Sequence, residues 1–505
     1  QLRRENWMNL NGTWEFEIDR AGSGMARRLF EKDHLAGKIE VPFCPESSLS
    51  GIGDTDFMSC VWYRRDLDWE KKPGRRTILH FGAVDYKATL FVNGARVGEH
   101  RGGYVSFSFD ITDALQNGRN SICLCAEDDV RSVAQPSGKQ SMAYASAGCF
   151  YTRTTGIWQT VWLEEVSEVY LVRTRQYPNI DEPALDLELE TSLLDPEVTV
   201  RAEAFYEGRA VGSAQGTLTG SPRLHLPLSE KHLWEVGCGR LYDLTITLSR
   251  GGEVLDRVES YFGLRQVAMR GRAFTINGKP VFGRFVLDQG FYPDGIYPAP
   301  SDEALRKDIE YGLELGFNGA RLHEKIFEER YLYHADRMGY LVWGEFPNWG
   351  YDMQQSLAEG LIPEWLEEIA RDFNHPSLIG WCPLNETWDM NGNRQCDDAL
   401  RMIYLATKAA DPTRPVIDTS GNYHVATDIF DVHDYLQDPA EFAKCYSRID
   451  EGAMPTTTQL NEFQYEEFFA PLLERGDVLH INFGSGMTAS VNNARLAAET
   501  LRERY

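Results

Sequence analysis

The sequence has no long hydrophobic run. Its apolar stretches are far shorter than the roughly 20 residues that a membrane-spanning helix needs, so we expect no membrane span. Cationic residues are also scarce: 51 Lys and Arg stand against 76 Asp and Glu, which leaves a net charge of −25. A chain this acidic repels phosphate backbones, so nucleic acid is not an expected partner.

Cysteine is sparse as well. The nine cysteines are odd in number and include no C-x-x-C pair, which disfavours a secreted disulfide framework. Cys123 and Cys125 alternate with neighbours in a strand-like run and are interpreted as residues of one strand face. The sequence also lacks a P-loop, a GxGxxG run after a strand, a GxSxG turn and an HExxH motif. We therefore expect no metal and no cofactor.

Residues 1–6 lack the apolar core of a signal peptide. A cytoplasmic location is the expectation, and a signal peptide removed by processing remains open.

The first half of the chain has the pattern of β-structure. Residues 1–165 contain short alternating runs and the dipeptide Asn93-Gly94 between two of them, a strong hairpin signal. Many strands with almost no helical periodicity predict a β-sandwich. Residues 166–265 carry further alternating strands over about 100 residues, which suits an immunoglobulin-like sandwich.

From about residue 266 onward the pattern changes to alternating strands and helices. Ser301 is a helix cap, Leu305, Ile309 and Leu313 follow on one predicted face, and Gly316 ends the helix. Further helices are predicted over 328–338, 363–373 and 397–410, with short apolar strands before and between them. The strand candidates include 415–418 and 428–432. This alternation predicts a parallel α/β sheet or barrel.

Polar side chains follow these strands where each one ends. In a barrel of parallel strands the chemistry lies at that end. The residues found there are Asp288, Arg321, His323, Glu345, Asn385, Glu386, Asp418, His433 and Tyr435. Four of them are acids, and four tryptophans lie among them: Trp343, Trp349, Trp381 and Trp388. Carboxyl groups beside aromatic rings favour a sugar site.

The most informative segment is 381–388, where Asn385-Glu386 follows an apolar strand between two tryptophans. A simple helix cap would explain a lone Asn-Glu pair, but these surroundings favour a functional one. We expect Glu386 to have a raised pKa and to act as a general acid. His323 and His433 are equally consistent with packed strand-end histidines and with site residues.

These features resemble glycoside hydrolase family 2, the group of β-galactosidases, β-glucuronidases and β-mannosidases. The resemblance covers roughly residues 1–447. Its motifs include 61–65, 80–86, 91–94, 102–104, 151–158, 277–280 and 374–377. It implies a multidomain β and α/β protein with a jelly-roll sugar-binding sandwich (1–165), an immunoglobulin-like sandwich (166–265) and a catalytic (β/α)₈ TIM barrel (266–447).

The resemblance also implies a retaining mechanism with two glutamates, β-galactosidase-like activity, a carbohydrate substrate and a possible homo-oligomer. Glu386 would be the acid/base and Asn385 would hold the sugar 2-hydroxyl. Further site-lining residues implied by the family are Asp288, Arg321, Trp388 and His433. His323 and Tyr435 are additional substrate-binding candidates from their strand-end positions, and the role of His323 stays open because Arg321-Leu322-His323 departs from the family's Arg-x-x-His spacing. Which sugar is cleaved stays open.

The match breaks where the family has its second glutamate, the nucleophile in a Ser-Glu-aromatic-Gly run. No such run follows Tyr435, and six strand candidates fall short of the eight of a barrel, so strands seven and eight are expected to be missing. Residues 448–505 instead resemble a fragment of a DegV-type fatty-acid-binding protein, in which Thr457 or Thr458 and Ser485 would hold a lipid carboxylate.

Three explanations stay open for this end of the chain. It is a chimera that lost the last strands, or its tail supplies substitute strands with Asn482 at the nucleophile position, or Glu462 is the nucleophile. The competing function is that of an inactive carbohydrate-binding remnant.

Overall fold

The computed structural model describes residues 2–271, 273–352, 357–387, 396–421 and 423–433, together with 466, 470 and 499–501. Three regions with their own sheets follow one another along the chain. None of the helices in these ranges has the length and apolar character required to cross a membrane.

The first region is an antiparallel sandwich. Its strands are β1 (Trp7–Asn9), β2 (Gly12–Ile18), β3 (Gly37–Val41), β4 (Cys60–Trp69), β5 (Arg75–Phe81), β6 (Val84–Asp85), β7 (Lys87–Val92), β8 (Ala95–Arg101), β9 (Phe107–Asp110), β10 (Gly118–Glu127), β11 (Gly156–Ile157) and β12 (Val161–Ser167), with short 3₁₀ turns at Leu29–Glu31 and Ser48–Ser50. One sheet has the order β3-β2-β4-β10-β7-β8, another has β1-β12-β5-β9, and β6 and β11 form a separate pair.

The hairpin between β7 and β8 confirms the prediction from Asn93-Gly94. Both residues have positive φ, 52° and 79°, as a tight two-residue turn requires. Cys123 and Cys125 lie on one buried face of β10, also as expected.

The second region is a smaller two-sheet sandwich with the orders β13-β14-β17 and β16-β15-β18-β19 around one apolar core. Its strands are β13 (Leu171–Asn179), β14 (Ala184–Thr191), β15 (Val198–Tyr206), β16 (Arg209–Thr217), β17 (Arg223–Pro227), β18 (Tyr242–Arg250) and β19 (Glu253–Phe262). A three-stranded sheet of β20 (Val267–Arg270), β21 (Ala273–Ile276) and β22 (Lys279–Pro280) leads into the third region.

The third region is the described part of the TIM barrel. Its parallel strands stand side by side in chain order: β23 (Phe285–Asp288), β24 (Gly319–Leu322), β25 (Leu341–Glu345) and β26 (Leu378–Cys382). Its helices are α1 (Asp302–Glu314), α2 (Glu329–Met338), α3 (Ile362–Asp372) after a π-helical turn at Leu357–Leu361, and α4 (Asp397–Ala410).

The helix predictions agree with these bounds to within a residue or two. The Ser301 side chain caps α1 by accepting a hydrogen bond from Ala304 N at 3.2 Å. Leu305 and Ile309 are buried, but Leu313 is 37% exposed, so the predicted apolar face was wrong at its last residue. Gly312 lies on the buried side instead, where a Cβ would come within 2.5 Å of the Tyr340 hydroxyl.

The chain beyond α4 differs from the prediction. Val416 and Ser420 pair with Trp381 and Asn385 as single parallel bridges rather than as a continuous strand. The strand predicted over 428–432 is absent from the described residues. Asp428 N donates to Val416 O at 2.9 Å and Asp428 Oδ2 accepts from Val416 N at 3.0 Å, so this segment turns back onto the preceding one.

The first sandwich docks directly on the barrel. Tyr104 and Trp158 of the sandwich are fully buried in the same apolar cluster as Tyr297 and Trp365 of the barrel. This contact fixes sandwich loops against the barrel and matters for the site below.

Candidate active site

The polar ends of neighbouring barrel strands meet at one edge of the sheet. Arg321 lies in β24, Glu345 ends β25, and Asn385 and Glu386 follow β26. Since parallel strands place their carboxyl ends together, side chains distant in sequence come into contact here.

Arg321 and Glu345 form the buried centre of the site. Arg321 Nε donates to Glu345 Oε2 at 2.5 Å, and the Glu345 side chain is fully buried. Burial alone would raise the pKa of this carboxyl, but the charge of Arg321, with smaller effects from its other neighbours, lowers it to about 2. Burial would lower the pKa of Arg321, and Glu345 more than reverses this. Both groups are therefore charged.

His323 and Glu324 pack around the same carboxylate. Glu324 N donates to Glu345 Oε1 at 3.1 Å, and His323 Nδ1 lies 2.8 Å from that oxygen without the alignment of a hydrogen bond. Burial lowers the pKa of His323, so the ring is biased toward its neutral form. Burial and the charge of Glu345 raise the pKa of the Glu324 carboxyl well above its usual range.

Asn385 is held from three sides. Its backbone N donates to Asn348 Oδ1 at 2.7 Å, its carbonyl accepts from Trp349 Nε1 at 3.2 Å, and its Oδ1 accepts from Arg321 at 2.8 Å. The side chain is 1% exposed, yet its Nδ2 has no hydrogen-bond partner among the described residues. A buried donor without a partner is costly, so this amide is suited to bind a ligand oxygen.

Glu386 stands in a strained backbone conformation beside Asn385. Its φ is 43°, uncommon for a residue with a side chain and a frequent mark of functional sites. Its N donates to Ser420 O at 3.0 Å, and its side chain keeps 26% exposure. The backbone of Glu386 is therefore held in place, while its carboxyl group stays accessible.

The expectation of a raised pKa for Glu386 was wrong. Burial does raise the pKa, but the 2.6 Å hydrogen bond from His433 Nδ1 is the largest of the effects that lower it, and the pKa ends below its usual value. His433 Nε2 lies 3.2 Å from Arg321, which can only donate. The imidazole therefore carries its proton on Nδ1 and donates it to Glu386.

Asp288 ends β23 next to the site, and its carbonyl accepts a hydrogen bond from His323 N at 2.7 Å. Asp288 Oδ2 accepts from Tyr331 of α2 at 3.4 Å, and no described contact joins Asp288 to Arg321 or Glu386. Trp343 and Trp381 are buried among core side chains and are not sugar platforms, which corrects that expectation; Trp349 is partly exposed at the site.

Asp418 is a structural carboxylate. It accepts from His424 at 2.6 Å and from the backbone N of Val425 at 2.7 Å, and the ion pair raises the pKa of His424 to about 10 in spite of burial. Within the described ranges, no group of three or more His, Cys, Asp or Glu side chains has the arrangement of a metal site.

Trp388, Tyr435 and Glu462 lie outside the described residues. The same holds for Asn482 and the residues behind the DegV-type resemblance, Thr457, Thr458 and Ser485. Their roles, and the missing last strands, stay predictions.

Two sets of contacts at the site were not predicted from the sequence. Trp349 was noted only as a possible platform, and it also bonds to the Asn385 carbonyl and, through its backbone N, to Glu324 at 3.1 Å. Lys139 comes from the first sandwich and lies over the Trp349 ring, with Nζ 3.4 Å from its centroid. No local motif predicts a contact between segments about 200 residues apart.

A cavity of about 910 Å³ lies away from these carboxyl groups, along the junction of the two sandwiches and the barrel helices. Its lining includes His80, Trp162 and Arg371 but none of Arg321, Glu345, Asn385 and Glu386. This cavity is a space between domains and is separate from the candidate active site.

Family models match the chain over three consecutive ranges. A glycosyl hydrolase 2 galactose-binding domain-like model matches 35–177, a glycosyl hydrolases family 2 model matches 169–265, and the TIM barrel domain model of that family matches 267–451.

The curated relatives have low sequence identity to this chain but align with most of its length. The chain is 27% identical to a β-glucuronidase of Canis lupus familiaris over 474 residues, which covers 82% of this chain and 69% of that protein. It is 28% identical to a β-glucuronidase of Bacteroides fragilis, covering 83% and 62%. A β-galactosidase of Thermoanaerobacter pseudethanolicus is 26% identical, covering 66% and 46%.

Solved structures share the fold. A β-glucuronidase from Ruminococcus gnavus in complex with D-glucuronic acid superposes with a TM-score of 0.70 at 21% identity, covering 82% of this chain and 73% of that one. A Lactobacillus rhamnosus β-glucuronidase gives 0.67 at 22%, covering 83% and 73%. With the three family models in consecutive order, the chain belongs to glycosyl hydrolase family 2 and is a glycosidase of O-glycosyl bonds.

Proposed function

We propose that this chain is a retaining exo-β-glycosidase with Glu386 as its acid/base. The observation that carries the proposal is the position of Glu386, a partly exposed carboxyl next to Asn385 at the rim of the barrel, with His433 as its proton-bearing neighbour. Its role is to protonate the glycosidic oxygen as the C1–O bond breaks and then to deprotonate the water that attacks C1.

Asn385 is proposed to bind the sugar 2-hydroxyl. Its Oδ1 is occupied by Arg321, so its Nδ2 is the group available to a hydroxyl oxygen. Glu345 holds Arg321 and is fully buried, which suits a positioning role and not a nucleophilic one.

The nucleophile is proposed to be a second carboxylate roughly 5–5.5 Å from Glu386, as a retaining mechanism requires. It forms a covalent bond to C1 when the leaving group departs with its proton, and water later breaks that bond. Glu462 is the candidate from the sequence. A 2-deoxy-2-fluoro glycoside would trap this intermediate, and peptide mapping of the labelled chain would identify the residue; a label on a residue other than Glu462 would reject that candidate.

For the sugar, a terminal β-linked glucuronic acid is the first candidate, because the relatives from dog, Bacteroides fragilis and others are named β-glucuronidases. A β-galactoside is the second, since the Thermoanaerobacter pseudethanolicus relative is a β-galactosidase.

The test is hydrolysis of a panel of p-nitrophenyl β-glycosides by the full chain, with Glu386→Gln and the control Glu303→Gln. The control removes a half-exposed carboxylate paired with Arg306 on α1. We expect turnover of at least one sugar, a loss of about 10²–10⁴-fold in Glu386→Gln, and no change in the control. A folded chain that binds sugars without turning over any of the panel would support the binding-remnant alternative instead.

A further inference from the structure

A loop of the first sandwich closes one side of the candidate site. Ser137 N and Gly138 N donate to Trp349 O at 2.7 and 3.1 Å. A Cβ on Gly138 would lie 2.5 Å from Glu324 O, and its φ is +51°, so glycine permits this close approach. The residue after this contact, Lys139, is thereby held at a fixed place on the barrel.

Lys139 is a buried cation without a carboxylate partner. The residue is 4% exposed, and no carboxylate of the described residues lies within ion-pair distance of its Nζ. Its neighbours are the Trp349 ring, 3.4 Å from Nζ to the centroid, and the Cys149 thiol at 3.8 Å. An unpaired buried charge costs free energy, and a ring face stabilises an ammonium group without neutralising it.

The positive charge of the Lys139 ammonium group acts on the residues of the candidate site. Trp349, which it covers, donates through Nε1 to the Asn385 carbonyl and through its backbone N to Glu324. Burial raises the pKa of Glu386, His433 lowers it most, and the charge of Lys139 adds to that lowering. A substrate bound between Asn385 and Glu386 would therefore be subject to the same positive charge.

We propose that Lys139, carried by the sandwich loop, is the specificity residue that binds the carboxylate of an acidic sugar in the barrel site. The inference rests on the proposed glycosidase function, and it identifies a uronic acid as the substrate class. The substrate carboxylate completes the ion pair that this chain leaves open, and such a charge-assisted contact is among the stronger ones that a site offers.

A purely structural role for Lys139 makes a different prediction. If the ammonium group served only to anchor Trp349, its replacement would lower thermal stability and would weaken every substrate alike. If it serves an acidic sugar, an apolar residue of similar length removes an unfavourable buried charge, so the melting temperature stays the same or rises.

The experiment compares Lys139→Met and Lys139→Arg with the wild-type full chain and with Lys72→Met. Lys72 is exposed in the sandwich and pairs with Glu165, so it controls for the loss of a lysine. Each protein is assayed with p-nitrophenyl β-D-glucuronide and β-D-glucoside, which differ in the carboxylate at C6, and with the galacturonide and galactoside pair. The melting temperature is measured alongside.

We expect Lys139→Met to lower kcat/KM for the uronide by about 10- to 100-fold and for its neutral partner by less than about threefold. Lys139→Arg should retain most of the preference, and Lys72→Met all of it. Equal losses on both members of a pair, or no change on either, would overturn the inference while leaving the glycosidase function intact.

A binding assay separates the two proposals. D-glucuronate and D-glucose are titrated calorimetrically into wild type and Lys139→Met. If nothing is hydrolysed but glucuronate binds in a Lys139-dependent manner, the proposed function fails while the assignment of Lys139 as the group that binds the uronate carboxylate holds. If the wild-type chain does not prefer glucuronate over glucose, the inference fails whatever the turnover.

Discussion

Glu345 and Glu386 are acids at the ends of adjacent barrel strands, yet their surroundings differ. Glu345 is fully buried and receives hydrogen bonds from Arg321 and from the backbone of Glu324. Glu386 is about a quarter exposed, sits at a φ of 43°, and contacts one imidazole. A carboxylate fixed by several donors cannot exchange protons readily, whereas one with a free edge can. This difference is the reason for proposing a positioning role for Glu345 and the acid/base role for Glu386.

The largest expected effect comes from removing the buried charge. Glu345→Gln leaves the Arg321 guanidinium without its counter-charge, and breaking such a pair costs about 3–5 kcal/mol. We expect a matching drop in the urea denaturation midpoint and loss of activity, since Arg321 also holds Asn385. The control Glu303→Gln should stay within about 0.5 kcal/mol of wild type. Unchanged stability in Glu345→Gln would show that Glu345 does not hold the site.

The stability difference between wild type and Glu345→Gln depends on pH. The pKa of Glu345 falls from 4.5 to about 2 on folding, so its stabilising contribution is complete above pH 4.5 and is lost as the pH falls toward 2. Denaturation midpoints of wild type and Glu345→Gln should therefore converge over that interval. A constant difference down to pH 2 would contradict the assignment.

A smaller effect is expected from His433→Asn. The variant removes the contact that lowers the pKa of Glu386 and leaves burial, which raises it. An acid/base must be protonated in the free enzyme, so kcat/KM falls as the pH rises through its pKa. The alkaline limb of the kcat/KM profile should move to higher pH in the variant. A limb that stays in place, or moves to lower pH, would mean that Glu386 is not the group being titrated.

The smallest effect is expected from Ser420→Ala. Glu386 N is bonded to the carbonyl of Ser420, which the substitution keeps. The lost hydroxyl donates to Asp431 at 2.5 Å and lies 3.1 Å from His433 Nε2, whose other ring nitrogen keeps its bond to Glu386. We expect about 1 kcal/mol of lost stability and less than about a threefold change in kcat/KM. A large loss of activity at unchanged stability would mean that the hydroxyl itself takes part in the site.

Local patterns predicted the architecture well. The Ser301 cap, the Gly316 stop and the period of Leu305 and Ile309 fixed α1, and Asn93-Gly94 fixed its hairpin, because these signals depend on a few neighbouring residues. The strand predicted at 428–432 failed because the segment is bonded back to Val416, a contact that its own residues do not encode.

The site was predicted in part. Strand-end position identified Arg321, Asn385, Glu386 and His433, which the structure brings into contact. The direction in which the pKa of Glu386 shifts was predicted wrongly because it depends on His433, which lies 47 residues away in sequence. The position of Lys139 at the site and the burial of Trp343 and Trp381 depend on how the domains and the layers of the barrel pack. Neither a hydrophobic period nor a local motif predicts such packing.

The acid/base role of Glu386 is tested by the leaving-group dependence of Glu386→Ala on aryl β-glycosides of the preferred sugar. An acid that protonates the leaving oxygen is needed most for a poor leaving group and least for an activated one. We predict a loss in kcat/KM of at least about 10²-fold for the phenyl glycoside and a much smaller loss for the 2,4-dinitrophenyl glycoside. An equal loss on both, or none on either, would contradict the assignment of Glu386 as the acid/base of this chain.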